Sequence, residues 1–384
     1  MPDSADPQIG YHVPACVGMS VDEVQTPSLL IDLDAFEANL VRMCQLAADS
    51  QIQLRAHAKM HKSVDVSRRQ MEIGGAIGIC CQKVSEAEVF ARAGFDNILI
   101  TNQVCDPVKI ERMVSFCGPG KHIICCVDDL DNVASLSRAA TKQGMVLGCL
   151  VELECGTQRC GVTEIPMLVE IAHAIAAAPG LKFTGLQAYN GRVQHHQSFA
   201  SRQSVEADVI SVTRTAIAAL AEAGLDCEIV SGGGTGSFAF EAASGLFNEI
   251  QCGSYAFMDA DYGRIENADG QRFDKAEWQN ALFILTSIVS TAQDGRAVCD
   301  AGLKVQSVDS GLPVIYGRDE VRYIQCSDEH GVIEDSGNIL KINDKLRLVP
   351  GHCDPTCNLH DWYVGVRGGK VEALWPVSAR GKAW

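Results

Sequence analysis

Eight short apolar or β-rich runs recur along the chain, ending near Ala58, Cys81, Ile100, Val127, Leu153, Ala188, Val230 and Cys252, and most are separated by segments of helical length. Strand-length runs alternating with helical crossovers specify parallel βα units, and eight of them fit a closed TIM-type (β/α)8 barrel over roughly 50 to 270. A doubly wound open sheet has the same alternation, so periodicity alone leaves both architectures standing. The separators carry helix signals of their own. One holds Val205, Val209, Val212, Ala216 and Leu220 on a single face, and another opens on Val84, Ser85, Glu88 and Val89, which reads as a capping box with a hydrophobic staple. Ahead of the series a strand is expected over 27–33. A helix should follow, capped by Asp34 with Glu37, with Phe36, Leu40, Met43 and Ala47 on its buried face.

The last hundred residues change character. ALFILTSIVS, GRAVCDAG, KLRLVP and WYVGVRGGKVEALW are strand-like, the last reading as a hairpin that turns near Gly368 and Gly369. The expected division is an arm over 1–26, the barrel with its leading strand and helix over 27–275, and a mostly β domain over 276–384. The strand near 27–33 is a candidate to join that second domain's sheet.

Charge and composition exclude several partners. The chain has 32 basic and 48 acidic side chains, a net charge of −16, so its field repels nucleic acid and anionic membrane surfaces. No stretch reaches the roughly 18 consecutive apolar residues of a membrane span. The acidic, proline-bearing start does not read as a signal or transit peptide. Many of the 17 cysteines sit inside apolar runs, with Cys80 beside Cys81 and Cys125 beside Cys126. Neighbours on a strand face opposite ways, so these are expected to be small buried hydrophobes in a reducing, cytoplasmic setting.

In a barrel the C-terminal strand ends carry the chemistry, so residues just past each run are the first candidates. Lys59, in RAHAKMHKS, follows the first barrel run between His57 and His61. At the mouth of an apolar barrel its amine is expected to be partly desolvated, which lowers its pKa and frees it for a Schiff base; a plain surface lysine is the alternative. VSGGGTGSF (230–238) follows the seventh run and CGSYAFMD the eighth. Consecutive glycines let backbone N–H groups converge on an anion. Gly232, Gly233, Gly234, Thr235, Gly236, Gly253, Ser254 and Tyr255 therefore form a candidate phosphate cradle, against the alternative of an unliganded turn. A cofactor with an aldehyde and a phosphate needs both features. Arg159, past the fifth run, is a fixed cation able to face an anionic cofactor oxygen or to join a surface salt bridge. Tyr189 and His195, past the sixth, are candidate proton-transfer groups. In VPGHCDPTCNLHDW, His352 and Asp354 are two apart. On extended backbone they share a face, and one nitrogen with one hard oxygen suits Mn, Mg or Co better than zinc; a polar turn is the alternative.

Taken in order, RAHAKMHKS, GICCQKVSEAE, QRCGV, GLQAY, SGGGTGS, CGSYAFMDADYG, DAGLK, DEHG and GHCDPTCNLHDWYVGVR resemble the D-threonine aldolase and 3-hydroxy-D-aspartate aldolase family from about residue 24 to the end. The resemblance implies an alanine-racemase-like architecture, and so selects the barrel over the open sheet. It implies pyridoxal 5′-phosphate bound to Lys59, lined by Gln82, Arg159 and Tyr189, with its phosphate on the glycine run, Thr235, Gly253, Ser254 and Tyr255. It also implies a divalent metal on His352 and Asp354, His195 near the substrate hydroxyl, and a homodimer with His330 of DEHG near the subunit boundary. The implied reaction is cleavage of a small D-β-hydroxy-α-amino acid to glycine and an aldehyde. Related dehydratases carry His-x-Cys at the metal position, whereas the hard pair His352-x-Asp354 favours carbon–carbon cleavage over loss of hydroxide. An amino-acid racemase and a non-catalytic cofactor carrier are the rival readings. D-Threonine and 3-hydroxy-D-aspartate both suit the motifs. The latter asks for an extra cation, and Arg192 is one candidate.

Overall fold

The computed structural model of the chain describes residues 8–384, so part of the expected arm, residues 1–7, lies outside the described residues. Strand β1 (Ser28–Asp32) leads into helix α1 (Leu33–Asp49). Eight parallel strands follow: β2 (Gln53–His57), β3 (Gly78–Cys81), β4 (Asn97–Gln103), β5 (His122–Val127), β6 (Leu147–Glu152), β7 (Leu181–Ala188), β8 (Ile229–Gly232) and β9 (Glu249–Ile250). Between them lie α2 (Val64–Glu72), α3 (Val84–Arg92), α4 (Pro107–Val114), α5 (Leu130–Gln143), α6 (Ile165–Ala177), α7 (Phe199–Glu222) and α8 (Phe238–Ser244). The sheet closes through β9 onto β2, which decides for the barrel against the doubly wound sheet.

Alternation along each strand builds two layers. Cys80, Leu99, Ile124 and Leu150 pack together in one small cluster, while their neighbours Cys81, Ile100, Cys125 and Val151 belong to the main core. The adjacent cysteines thus face opposite ways, and all 17 are free. Barrel closure rests on a two-residue strand, and side chains reinforce it. Buried Arg55 on β2 donates through Nε to Glu249 Oε2 on β9 at 2.9 Å, and Ser231 Oγ on β8 donates to Glu249 Oε1 at 2.6 Å.

The second domain is a nine-stranded sheet with β10 (Leu282–Gln293), β11 (Arg296–Cys299), β12 (Val314–Ile315), β13 (Arg322–Cys326), β14 (Gly331–Glu334), β15 (Lys345–Val349), β16 (Trp362–Arg367) and β17 (Lys370–Pro376). Its ninth strand is β1, antiparallel to β10 (Leu30 opposite Phe283) and parallel to β16 (Leu30 opposite Val364). A central strand buried on both faces explains why Leu29, Leu30 and Ile31 are all apolar and inaccessible. The β16–β17 hairpin turns at Gly368 and Gly369, whose φ of +56° and +76° only glycine adopts without strain.

Two helix starts differ from expectation. Asp32, not Asp34, caps α1, accepting from Ala35 N at 3.2 Å; Asp34 and Glu37 instead bind Arg367 of β16. Ser85 lies inside α3, which begins at Val84, and Glu86 provides the cap by accepting from Gln82 N at 2.8 Å. Tertiary pairing moved both starts upstream. The α1 face is as expected, with Phe36, Leu40, Met43 and Ala47 buried. Among the described residues no helix is long and apolar enough to cross a membrane.

Candidate active site

A cavity of about 340 Å³ opens at the C-terminal ends of the barrel strands, against the β domain. Lys59, Gln82, Arg159, Tyr189, His195, Gly234, Thr235, Gly253, Ser254, His352 and Asp354 all line it, although up to about 295 residues of chain separate them. Gly232, Gly233, Gly236 and Tyr255 do not line it. Gly232 completes β8 against Ala188 O, where a Cβ would sit 2.2 Å away, and Gly233 turns the chain at φ +73°. The Tyr255 ring is fully buried beside Trp278 (centroids 5.8 Å apart), so only its backbone belongs to the loop. Exposed His330 sits in the β13–β14 turn, away from the cavity of this chain.

Electrostatics at Lys59 overturn one expectation. Burial does pull the amine down, but Asp354 Oδ2 lies 3.7 Å from Nζ, and with Tyr189 it outweighs burial and holds Lys59 above its ordinary value. His57, which sequence reading treated only as a flank, lines the floor and accepts weakly from Lys59 N through Nδ1 (3.4 Å). Burial, then the Lys59 charge, keeps this imidazole well below its usual range and neutral. Nε2 of His57 sits 3.3 Å from Thr101 Oγ1 and 3.5 Å from Gln82 Nε2. Arg159 crosses to Glu152 at 3.8 Å, its one ion pair among the described residues.

The loop after β8 is shaped by a residue that sequence reading missed. Gln194 Oε1 accepts from Gly236 N at 2.7 Å, and its Nε2 donates to Ser237 Oγ at 2.9 Å. A Cβ on Gly234 would come within 2.7 Å of the Gln194 amide, so a side chain there would push that amide off the loop it holds. Thr235 Oγ1 accepts from Tyr255 N at 2.9 Å and ties this loop to the one after β9. Among the described residues, the backbone N–H groups of Thr235 and Ser254 have no acceptor. Free N–H groups on two glycine-bearing loops facing the lysine's cavity fit a phosphate, and the lysine fits an aldehyde.

The far wall joins both domains. His195 ends a 3₁₀ turn (Gly191–His195), and its Nδ1 lies 3.1 Å from Asp261 Oδ2. A carboxylate only accepts, so Nδ1 carries the proton and Nε2 is left basic. Arg264 donates to Asp261 Oδ1 (2.9 Å) and to Ser310 O of the β domain (2.8 Å). His352 Nδ1 likewise faces Asp309 Oδ2 at 2.8 Å, which leaves its Nε2 free of a partner among the described residues. Burial opposes protonation of His352, but Asp354 and Asp309 raise its pKa overall. The extended-backbone reading of this pair is incorrect: His352 is extended, but Asp354 lies in the first turn of the helix Cys353–Cys357. Buried Asp259 starts that helix from the barrel side, accepting from Cys353 N (2.8 Å) and Tyr262 N (2.9 Å). An imidazole and a carboxylate fit a weakly held divalent ion. Among the described residues, no group of three or more such donors forms a closed metal site.

Residues 31–261 match the family model described as "Alanine racemase, N-terminal domain", and residues 281–366 that described as "Putative serine dehydratase domain". The chain is 58% identical to a 3-hydroxy-D-aspartate aldolase of Paracoccus denitrificans (strain Pd 1222), over 98% of this chain and 97% of that protein. It is 42% identical to a D-threonine aldolase of Arthrobacter sp, over 96% of each. The crystal structure of D-threonine aldolase from Filomicrobium marinum superposes with a TM-score of 0.92 at 43% identity, covering 97% of this chain and all of that one.

Proposed function

The chain belongs to the alanine-racemase-like family that includes 3-hydroxy-D-aspartate and D-threonine aldolases, and on that premise we propose that it is a pyridoxal-phosphate-dependent, metal-assisted carbon–carbon lyase. Its reaction is cleavage of a D-β-hydroxy-α-amino acid to glycine and an aldehyde. One observation carries the reading: a single cavity gathers Lys59, the two glycine-bearing loops, His195 and the His352/Asp354 pair. A racemase has no use for a nitrogen-and-carboxylate pair opposite its lysine, and neither has a carrier.

When bound, pyridoxal phosphate supplies an electron sink for the pair released at the substrate α-carbon. Lys59 Nζ would hold its aldehyde carbon, and the N–H groups of Thr235 and Ser254 would hold its phosphate. Gln82, Arg159 and Tyr189 would bound the ring. With substrate bound, the Lys59 amine would remain in the cavity as the group that returns a proton to the α-carbon. His195 Nε2 takes the proton from the β-hydroxyl, and Asp261 steadies the charge that forms on the imidazole. His352 and Asp354 would hold a divalent ion, Mn, Mg or Co rather than zinc, whose chemistry is to acidify an alcohol. Hard donors there would favour loss of carbon over loss of hydroxide.

Identity of 58% to a 3-hydroxy-D-aspartate aldolase against 42% to a D-threonine aldolase favours the acidic substrate. We further assign a homodimer in a reducing, cytoplasmic compartment, supported by the exposed apolar Leu303, Leu312, Val314 and Tyr316 of the β domain and by 17 free cysteines. The deciding assay supplies pyridoxal phosphate, a manganese salt and each D-amino acid in turn. Glycine with an equal amount of glyoxylate or acetaldehyde is expected. A keto acid with ammonia would make the protein a dehydratase, and racemised substrate without glycine would make it a racemase.

A further inference from the structure

We propose that Arg192 binds the carboxylate on the β-carbon of the substrate and so selects 3-hydroxy-D-aspartate over D-threonine, an inference that rests on the aldolase reading above. Three lysine or arginine side chains line the cavity: Lys59, Arg159 and Arg192. Lys59 faces Asp354 at 3.7 Å and Arg159 faces Glu152 at 3.8 Å. Among the described residues the guanidinium of Arg192 has no carboxylate within ion-pair distance, so it is the cation left to receive a ligand's charge.

Its place on the 3₁₀ turn says which charge. Side chains three apart on such a turn eclipse one another, about 6 Å along the axis. Arg192 and His195 therefore share one face, while Val193 and Gln194 between them are buried. Buried Asn190 fixes the start of the turn by accepting from Arg192 N at 3.0 Å. If His195 works at the β-hydroxyl, the neighbouring guanidinium faces the other substituent of the β-carbon. In D-threonine that substituent is a methyl group, which offers the guanidinium nothing. In 3-hydroxy-D-aspartate it is a carboxylate, which matches the guanidinium fork. Arg159 is close enough to the Lys59 amine and His57 for its charge to act on both, which puts it on the cofactor side of the cavity. In a chain of net charge −16, a local cation at the cavity favours entry of a doubly carboxylated substrate.

The test compares kcat/KM for 3-hydroxy-D-aspartate and D-threonine in the wild type, Arg192→Ala and Arg192→Lys, all loaded with pyridoxal phosphate and manganese. Losing a charge-assisted hydrogen bond should lower the ratio of the two values about 10- to 100-fold in Arg192→Ala, through KM for the acidic substrate. Arg192→Lys should recover part of it. Parallel losses on both substrates would overturn the proposal, because they would place Arg192 at the shared α-carboxylate. An unmoved ratio would overturn it too. A wild type that cleaves D-threonine and not 3-hydroxy-D-aspartate refutes the selectivity and leaves the aldolase reading intact; a wild type that cleaves neither refutes both.

Discussion

Burial and charge compete within single side chains here, and Lys59 shows the outcome reversing. Desolvation alone would make it a weak cation, but the carboxylate of Asp354 turns the balance toward the protonated amine. His57, buried alongside that positive charge, goes the other way and stays neutral. The same reasoning makes Asp261 a positioning residue for His195. Asp261→Asn keeps the shape but lets the amide donate to Nδ1, leaving the proton on the wrong nitrogen. Steady-state rates should then fall about 10- to 100-fold with little change in KM. The effect sits at the low end because the His195 side chain is 65% exposed; an unchanged rate would mean that Asp261 does not position His195 for the reaction. Lys59, Arg159, Tyr189 and His195 were legible because each follows an apolar run, where barrels keep their chemistry. Asp261 and Asp309 were not, since their histidine partners lie 66 and 43 residues away and no local spacing connects them.

At the level of elements, two buried acidic arrangements set stability in opposite ways. Glu249 is paired with Arg55 at the barrel seam, so Glu249→Ala strands a buried guanidinium. It should cost about 3–5 kcal/mol in chemical denaturation, while an apolar replacement of both residues should cost far less. Glu206 on α7 and Glu241 near the glycine loop are buried together, and burial followed by their mutual repulsion holds Glu206 above the ordinary carboxylate value of 4.5. Both oxygens of Glu206 lack a hydrogen-bond partner among the described residues. The folded chain keeps protons that the unfolded chain has released above about pH 4.5, so this pair costs stability as pH rises from there. Melting curves of Glu206→Gln should show a gain over wild type that grows between pH 5 and pH 9. A gain independent of pH would mean that the carboxyl is ionised in the fold. Strands of continuous apolar sequence were readable, whereas β12–β14 were missed: they are short and half exposed, with a pattern such as RYIQC carrying only one fully buried residue. The N-caps, Asp32 and Lys83, lie less than a turn upstream of the expected Asp34 and Ser85, because tertiary partners take the expected capping residues: Arg367 binds Asp34 and Glu37, Trp384 N donates to Ser85, and Arg112 binds Glu88.

Across the whole molecule, the site exists because a barrel mouth and a β domain are held against each other. The strand β1 starts the chain's fold inside the second domain's sheet. Contacts beside the cavity, such as Arg264 to Ser310 O and Asp259 to Cys353 N, lock the rest. Sequence pattern gave the βα series and the β-rich end, but the choice of barrel over open sheet came from the ordered motifs and not from periodicity, since both folds have the same local signals. Because the proposed metal would have only two protein donors on a preformed wall, its removal should affect chemistry and not folding. Chelation should abolish turnover, restored by manganese, while the melting temperature shifts by no more than a degree or two; activity persisting after chelation would assign His352 and Asp354 another role. The account as a whole stands on the Lys59 amine reaching an aldehyde whose phosphate sits on the loops at Thr235 and Ser254. Borohydride reduction of the pyridoxal-phosphate-loaded protein, followed by digestion and mass spectrometry, measures this directly. The account predicts the reduced pyridoxyl group on the peptide containing Lys59 and its loss in Lys59→Ala, and a label carried on any other lysine would contradict it.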